Sequence, residues 1–175
     1  ERGDTMATRR WRGGAAASAA QVQTFAFSGT WEVGDLIRVT IGARTWDYAV
    51  TNATITTFLP LFVTAFGALS STTYPEFAEL TASSNSTTLT FTGNTAGLPF
   101  TVTLTPLESN GGAADAQAIE GGGSATTGAT ATAATGPNHW DAAANWVEGA
   151  VPVTSDDVIL DDGDDVFYGM DQSAV

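Results

Sequence analysis

The stretch Asp35–Thr51, DLIRVTIGARTWDYAVT, carries the pattern that decides the fold of the chain. Apolar and polar residues alternate on both sides of Gly42, with the two-residue period of half-buried strands. Each run places large apolar residues on one face: Ile37, Val39 and Ile41, then Trp46, Tyr48 and Val50. Because glycine readily adopts turn conformations, the stretch predicts a β-hairpin with strands Leu36–Ile41 and Thr45–Thr51 joined through residues 42–44.

Strand patterns continue on either side of this hairpin. Gln21–Gly29, QVQTFAFSG, alternates in the same way and ends at a glycine, which predicts one strand before the hairpin. Threonine-rich runs after it, at residues 74–83, 87–93 and 99–106, predict three more short strands. Together these runs indicate a sheet domain over residues 21–106.

One segment between the strands changes period. Its apolar residues recur at helical spacing: Leu59, Phe62, Val63, Phe66 and Leu69. This spacing predicts one amphipathic helix over Thr57–Ser70, in which Pro60 is tolerated in the first turn and nearby threonines serve as caps. The predicted fold class is therefore mainly β, an α+β domain in which one helix covers a small sheet.

Residues 107–135 differ in composition from the sheet domain. Glycine, alanine, serine and threonine dominate this segment, and such residues bury too little apolar surface to offset chain entropy. The segment is predicted to be a flexible linker. Its last part, TTGATATAAT at residues 126–135, could still add one edge strand to either neighbour.

The charge distribution excludes several classes of function. The formal net charge is −13, and the six basic residues are all arginines, with four of them at Arg2, Arg9, Arg10 and Arg12. A folded domain that binds nucleic acid needs a basic face, so no nucleic-acid partner is expected. No run approaches the roughly 18 to 20 apolar residues that span a bilayer, so no membrane insertion is expected.

The inventory of reactive side chains predicts a protein that is not an enzyme. The chain has no cysteine, no lysine and one histidine, which leaves no disulfide framework, zinc constellation or obvious nucleophilic set. Glu76 and Glu79 form a carboxylate pair of the kind that glycosidases use, but they are expected on the solvent face of a strand. No catalytic residue is therefore assigned.

Residues 1–20 are interpreted as an N-terminal arm. MATRRWRGGAAASAA, from Met6, has the basic start of a secretory signal but lacks its apolar core, so an extended arm is expected. Residues 1–5, ERGDT, are expected to be translated leader, and the Arg-Gly-Asp tripeptide within them a chance match. The opposite end, YGMDQSAV, carries no terminating signal, and we expect the chain to be a fragment of a longer one.

Gly136–Leu160, GPNHWDAAANWVEGAVPVTSDDVIL, contains a tryptophan, an Asn-Trp pair, a glycine and a proline in order. That combination resembles the segment that opens the β-solenoid or autotransporter-like repeats of large bacterial surface proteins and phage structural proteins. With MATRRWRGGAAASAAQV and YGMDQSAV, it is similar to phage-type and bacterial surface proteins that place an arm and a small α+β domain, Ig-like or β-sandwich-like, before a C-terminal β-helix. The resemblance implies that residues 136–175 begin a β-solenoid that is truncated here.

The order of arm, β-rich domain, linker and solenoid start favours a non-enzymatic structural or attachment protein. The first hypothesis is a phage virion component, of a tail or head fibre, that forms a homo-oligomer and docks through its arm to other virion or surface proteins. The second is a bacterial cell-surface adhesin of the same build, so the expected location is the virion or the extracellular cell surface. The third is the N-terminal part of a glycan-active enzyme whose catalytic β-helix lies beyond Val175.

Two interpretations remain open for Trp140, Trp146 and His139. In the first, which is favoured, the tryptophans cap the open end of a β-stack and His139 is a surface or capping histidine. Their expected packing partners are Val151, Val153, Val158 or Leu160. In the second, the three residues form a sugar or ligand platform, since aromatic faces bind sugars well.

An acidic run follows these residues. Its carboxylates are Asp156, Asp157, Asp161, Asp162, Asp164 and Asp165. Hard oxygen ligands at this density suit calcium, although DDGDD lacks the alternating ligands and the terminal glutamate of an EF-hand. The favoured alternative is a solvated acidic turn that discourages pairing at a strand edge. Calcium is thus the one cofactor considered.

Overall fold

The computed structural model describes residues 6–160 and 165–166. Its strands are β1 (Thr8–Arg10), β2 (Val22–Gly29), β3 (Leu36–Ile41), β4 (Arg44–Ala49), β5 (Leu80–Asn85), β6 (Thr88–Gly93), β7 (Val102–Leu107), β8 (Gln117–Ile119), β9 (Thr126–Thr127), β10 (Ala129–Thr132) and β11 (Asp157–Ile159). Its helices are α1 (Ile55–Gly67), α2 (Pro75–Ala78) and a short 3₁₀ helix, Ala143–Asn145. The chain is therefore mainly β, as its alternating runs predict.

The hairpin β3–β4 forms as predicted. The two strands pair along their whole lengths, so the turn is reduced to Gly42 and Ala43, and Arg44 begins the returning strand. Gly42 has a φ of 58°, in the left-handed region that glycine adopts without strain. The predicted inward face of β3 is buried, with Ile37 and Val39 at 0 % exposure.

Two antiparallel sheets share one hydrophobic core, and we call this part of the molecule the two-sheet domain. The first sheet has the order β10-β2-β6-β5, with β8 pairing to the end of β2, and the second has the order β4-β3-β7-β9. Buried side chains come from both sheets, with Phe25 and Phe91 from the first and Val39 and Leu104 from the second. The chain passes repeatedly from one sheet to the other, so neither sheet is built from one continuous segment.

Helix α1 covers the core that the two sheets share. The ring of Phe62 on the helix lies 5.4 Å from Trp46 and 5.3 Å from Tyr48 of the second sheet. The same ring lies 6.4 Å from Phe91 of the first sheet. The predicted covering helix is confirmed, because one helical side chain contacts both sheets.

The helix begins two residues before its predicted start. Pro60 is therefore inside the helix rather than in its first turn. Thr54 occupies the N-cap, where its carbonyl accepts the backbone N–H groups of Thr57 and Phe58 while its side chain makes no capping bond. Phe58, in the first turn of the observed helix, is completely buried, which adds apolar contact there.

The strand predicted over residues 74–83 begins late, because its first half is the short helix α2. Proline at the first helical position and Glu76 in the first turn favour this helical turn, and Phe77 is buried beneath it. Glu76 forms an ion pair with Arg44 at 2.8 Å, and Glu79 is the C-cap residue. The sequence predicts both glutamates on the solvent face of a strand, and this is wrong because they lie in and at the end of a helix.

Residues 107–135 form strands in both sheets, where the composition predicts a flexible linker. β8 and β10 pair with β2, and β9 pairs with β7. Ladder hydrogen bonds to neighbouring strands supply the stabilisation that the small side chains lack. Gly128 lets the chain pass from one sheet to the other, because a Cβ there would lie 2.6 Å from the ring of Phe25. TTGATATAAT, which could add one edge strand, forms two: β9 at the edge of the second sheet and β10 at the edge of the first.

No β-solenoid occurs within the described residues. Segment 136–160 contributes the 3₁₀ helix and β11, and β11 pairs in parallel with β1 of the N-terminal arm. Arg9 and its ion-pair partner Asp156 are 147 positions apart along the chain. The predicted arm is thus bound to the opposite part of the chain. None of the helices in residues 6–160 is both long and apolar enough to cross a bilayer.

Candidate functional site

A small module made from the first and last described segments is the candidate functional site. It comprises residues 7–19 and 135–160, and we call it the terminal module. β1 lies at its centre, with β11 paired to one edge and segment 146–148 bound to the other, where Val147 N–H donates to the Arg10 carbonyl. These two sides form a groove that holds β1, and we call it the arm groove.

Three tryptophans stack edge to face in the terminal module. The ring centroid of Trp146 lies 5.1 Å from that of Trp11 and 4.7 Å from that of Trp140, at interplanar angles of 76° and 80°. Trp146 and Trp11 are 1 % and 2 % exposed, and Trp146 Nε1 donates a hydrogen bond of 2.8 Å to the Trp140 carbonyl. Such aromatic pairs are worth about 0.5 to 1.5 kcal/mol beyond area burial, so the rings form the core of the module.

The ring partners of Trp146 differ from the packing partners that the sequence suggests. Three of the four expected residues are exposed: Val153, Val158 and Leu160. The arm supplies a ring instead, because Trp11 enters the groove beside Trp146. Interpreted only as part of an extended arm, Trp11 has no predicted partner. A single tryptophan among arginine, glycine and alanine is nevertheless a signal that this residue packs against another part of the chain.

Asn145 connects the arm to the loop that precedes Asn145 in the chain, and sequence reasoning missed this role. Its side chain is buried, and Oδ1 accepts the backbone N–H groups of Ala15 at 3.2 Å and Ala16 at 2.8 Å. Nδ2 donates to the carbonyls of Gly136 at 2.9 Å and His139 at 3.0 Å. The asparagine of the Asn-Trp pair thus stabilises backbone from two distant segments.

His139 is buried, and is not the surface or capping histidine that the sequence suggests. It is 1 % exposed, and its Nε2 lies 2.7 Å from the Gly97 carbonyl oxygen. Because a carbonyl oxygen only accepts, Nε2 carries the proton, while Nδ1 lies 3.7 Å from Asp141 Oδ1. This contact, together with the hydrogen bond from the Gly97 N–H to the Ala19 carbonyl, joins the terminal module to the two-sheet domain.

A small cleft lies beside His139. Its volume is about 210 Å³, and residues 95–98, residues 136–138 and Ser18 complete its lining. Of the three residues considered for a sugar platform, only His139 lines this cleft. Trp146 and His139 are buried, and Trp140 is half-buried. Their geometry supports packing, because a sugar ring stacks on an exposed aromatic face.

Charged groups help to hold the arm in its groove. Arg9 Nε lies 2.9 Å from Asp156 Oδ2, and the Arg10 N–H donates to Glu148 Oε2 at 2.9 Å. Hydrogen bonds from Arg9 and from the Val153 N–H lower the pKa of Asp156 below its ordinary value. The hydrogen bond from the Arg10 N–H likewise lowers the pKa of Glu148. Both carboxyl groups are therefore favoured in their charged form while the arm is bound.

The aspartates of the suggested calcium site are described only in part. Asp156 pairs with Arg9, and Asp157 and Asp165 are exposed. Three others lie outside the described residues: Asp161, Asp162 and Asp164. Within the ranges that the structure covers, no group of three or more histidine and acidic side chains could hold a metal ion. Calcium stays a prediction.

The outer edge of β11 has no strand paired to it in the described part of the chain. Asp157 N–H donates to the Ala7 carbonyl, and the Ile159 carbonyl accepts the Trp11 N–H, so both residues direct these groups at the arm. By the alternation of a strand, the N–H and C=O of Val158 point the other way. Several apolar side chains of the module are exposed: Val147, Val153, Val158 and Leu160.

The module therefore combines a buried aromatic core with an open, partly apolar strand edge. No protein-family model, curated protein or solved structure matches the chain.

Proposed function

We propose that this protein is a non-enzymatic structural or attachment protein, and more specifically a phage virion component of a tail or head fibre. The observation that supports this most is how the terminal module uses its polar and aromatic side chains. Asn145 and His139 bind backbone groups, and Trp146 packs against Trp11. His139 and Trp146, which the sequence also suggests for a ligand platform, contribute to the fold instead.

The open edge of β11 supports a module that continues into further strands. A parallel pair of strands of three residues each is short, and parallel strands usually have both faces covered. Val153, Val158 and Leu160 are exposed around that edge. In this proposal, the strands of a β-solenoid stack on β11 and cover these side chains, and the two-sheet domain lies at the base of the resulting β-helix.

The location of the protein tests the assignment. Cells that carry the gene are separated into particle, envelope and soluble fractions, and the protein is quantified in each fraction with an antibody. A virion component is expected to sediment with particles at a constant ratio to the major capsid protein. Recovery in the envelope fraction would instead identify a cell-surface adhesin. Release of reducing sugar ends from glycans by the purified protein would show that it is an enzyme.

A further inference from the structure

The N-terminal arm binds the rest of the molecule through one surface, the arm groove. Backbone hydrogen bonds of residues 7–16 go to partners on both sides of the groove and in the loop before it: Pro137, Asn145, Val147, Glu148, Asp157 and Ile159. Arg9 adds the ion pair with Asp156, and Trp11 adds the ring contact with Trp146. The described contacts between the groove and the arm therefore combine backbone pairing with an ion pair and an aromatic contact.

Charge makes this recognition selective for an arm of this composition. The chain has a net charge of −13, yet Arg9, Arg10 and Arg12 lie together in the arm. The groove presents carboxylates to it through Asp156 and Glu148. A basic strand with a tryptophan is thus complementary to the groove, whereas the acidic remainder of the chain is not.

Very little chain connects the groove-bound arm to the two-sheet domain. The Ala16 N–H is held by Asn145, and the Ala19 carbonyl already accepts the N–H of Gly97 in the two-sheet domain, so only Ala17 and Ser18 lie between the two attachments. Both of these connecting residues are exposed, and their side chains are small. Short connections of this kind favour exchange of the connected element between copies, because closing onto the same copy constrains them most.

We propose that the arm is an exchangeable strand, so that the arm of one copy occupies the groove of a second copy and links the two. The contacts in the exchanged form are the same as those described within one copy, so exchange changes only the path of the short connection. A closed single copy prevails when the effective concentration of its own arm exceeds that of the other copies. Assembly of many copies raises the local concentration of neighbouring grooves and so favours exchange. The inference therefore rests on the proposed structural function.

Charge reversal at the Arg9–Asp156 pair tests the exchange in the full chain. In Arg9→Glu the arm repels its own groove, and in Asp156→Arg the groove repels its own arm. When the two variants are mixed, each arm meets a groove of opposite charge only in the other copy. We expect native mass spectrometry to show a one-to-one heterodimer, at a level roughly tenfold above the dimer of either variant alone.

Two controls accompany the mixture. The double variant Arg9→Glu with Asp156→Arg restores attraction within one copy, and it is expected to return to the oligomeric state of the wild-type chain. The matched control reverses the Arg38–Asp47 pair, which lies 2.8 Å apart across the hairpin β3–β4 and outside the arm. A mixture of Arg38→Glu and Asp47→Arg is expected to form no heterodimer.

A cysteine experiment covers the case in which charge reversal disturbs the module. The chain contains no cysteine, and Thr8 lies opposite Asp157 in the register of β1 and β11. Oxidised mixtures of Thr8→Cys with Asp157→Cys are expected to give interchain disulfides several-fold above mixtures of Thr8→Cys with Ser83→Cys, because Ser83 lies on β5.

The outcomes separate this inference from the proposed function. No heterodimer, with disulfide yields equal to the control mixture, would overturn arm exchange even if the protein sediments with particles. Exchange in a protein that is absent from particles would instead support the arm mechanism and contradict the virion assignment.

Discussion

Buried glutamine amides form hydrogen bonds with backbone groups that none of the described neighbouring strands pairs with. Gln21 accepts the Phe100 N–H at 2.9 Å and donates to the Phe100 carbonyl at 2.6 Å. Gln23 accepts the Val102 N–H at 2.8 Å. Both glutamines lie on or beside β2 of the first sheet, whereas Val102 begins β7 of the second. The amides therefore satisfy backbone groups across the two sheets, as Asn145 does between the arm and the loop.

Gly128 is the residue whose lack of a side chain matters most at the crossing between the sheets. In Gly128→Ala, the new Cβ would lie 2.6 Å from the ring of Phe25 and 2.7 Å from the Thr24 carbonyl oxygen. We expect the free energy of unfolding to fall by roughly 1 to 3 kcal/mol, measured by urea denaturation. Gly122→Ala is the matched control, because its Cβ meets nothing within 4 Å. Equal stability of the two variants would contradict the close approach.

Asp35 gives the two-sheet domain a defined pH dependence. Burial raises the pKa of this carboxyl above its ordinary value of 3.8, and the charges of Glu108 and Asp115 add to the effect, against the hydrogen bond from the Glu32 N–H. The contribution of Asp35 to stability is therefore fully present below pH 3.8 and is lost as the pH rises through the raised value. Compared with the unfolded state, the folded state favours the protonated form of Asp35.

Asp35→Asn should remove this dependence, because the amide oxygen still accepts the Glu32 N–H and carries no charge. We expect the stability of the variant relative to the wild-type protein to be greater at pH 7 than at pH 3. Urea denaturation at a series of pH values measures the difference. Parallel profiles for the two proteins would show that Asp35 titrates alike in the folded and unfolded states.

At the scale of elements, α1 and β11 each depend on partners from other parts of the chain. Phe62 of α1 is buried between aromatic residues of both sheets, so the helix is stabilised chiefly by tertiary packing. β11 has three residues and forms its ladder with β1 alone among the described strands. Loss of these tertiary contacts is therefore expected to destabilise either element.

Phe62→Ala measures the contribution of α1. The change removes a fully buried ring that contacts both sheets, and we expect it to lower the free energy of unfolding by about 3 to 5 kcal/mol. Leu61 precedes Phe62 and lies on the exposed face of the helix, so Leu61→Ala should change stability by less than about 0.5 kcal/mol. Similar losses from both variants in urea denaturation would contradict the assigned orientation of the helix.

Trp146→Ala measures how tightly the arm is held. Without the ring that packs on Trp11, the arm is expected to leave its groove more often, which exposes the bonds after Arg9, Arg10 and Arg12 to trypsin. The initial rate of cleavage at these sites should rise at least several-fold, as followed by mass spectrometry. Val153→Ala is the matched control, because its side chain is exposed. An unchanged cleavage rate in Trp146→Ala would mean that the ring does not retain the arm.

On the scale of the whole molecule, two opposite electrostatic effects are superimposed. The net charge of −13 makes the surface repel itself, and the arm pairs Arg9 with Asp156 locally. Self-repulsion acts on every acidic group, whereas the ion pair acts at one place. The general effect is therefore expected to dominate the response of global stability to salt.

Thermal unfolding in sodium chloride and in calcium chloride tests this balance. Screening should raise Tm with sodium chloride, and at matched ionic strength we expect calcium to give the same increase. A larger increase at millimolar calcium would reveal a native-state site for the ion, because a ligand bound only by the folded protein stabilises it. A decrease of Tm with sodium chloride would contradict the dominance of self-repulsion.

Local periodicity determined the parts of this fold that neighbouring residues decide among themselves. Alternation around Gly42 predicted the hairpin, and the spacing of Leu59, Phe62 and Phe66 predicted the covering helix. Both patterns are visible in sequence because each element buries one face, and the face repeats with the period of that element.

Tertiary structure alone decided which distant segments pair. Residues 107–135 became strands because existing edges offered them hydrogen bonds, although their own side chains favour a linker. Likewise, Trp11 met Trp146, and His139 became buried against Gly97, through contacts between segments far apart in the chain. Composition and spacing carry no record of such partners, because their stabilisation exists only after the chain has brought the two segments together.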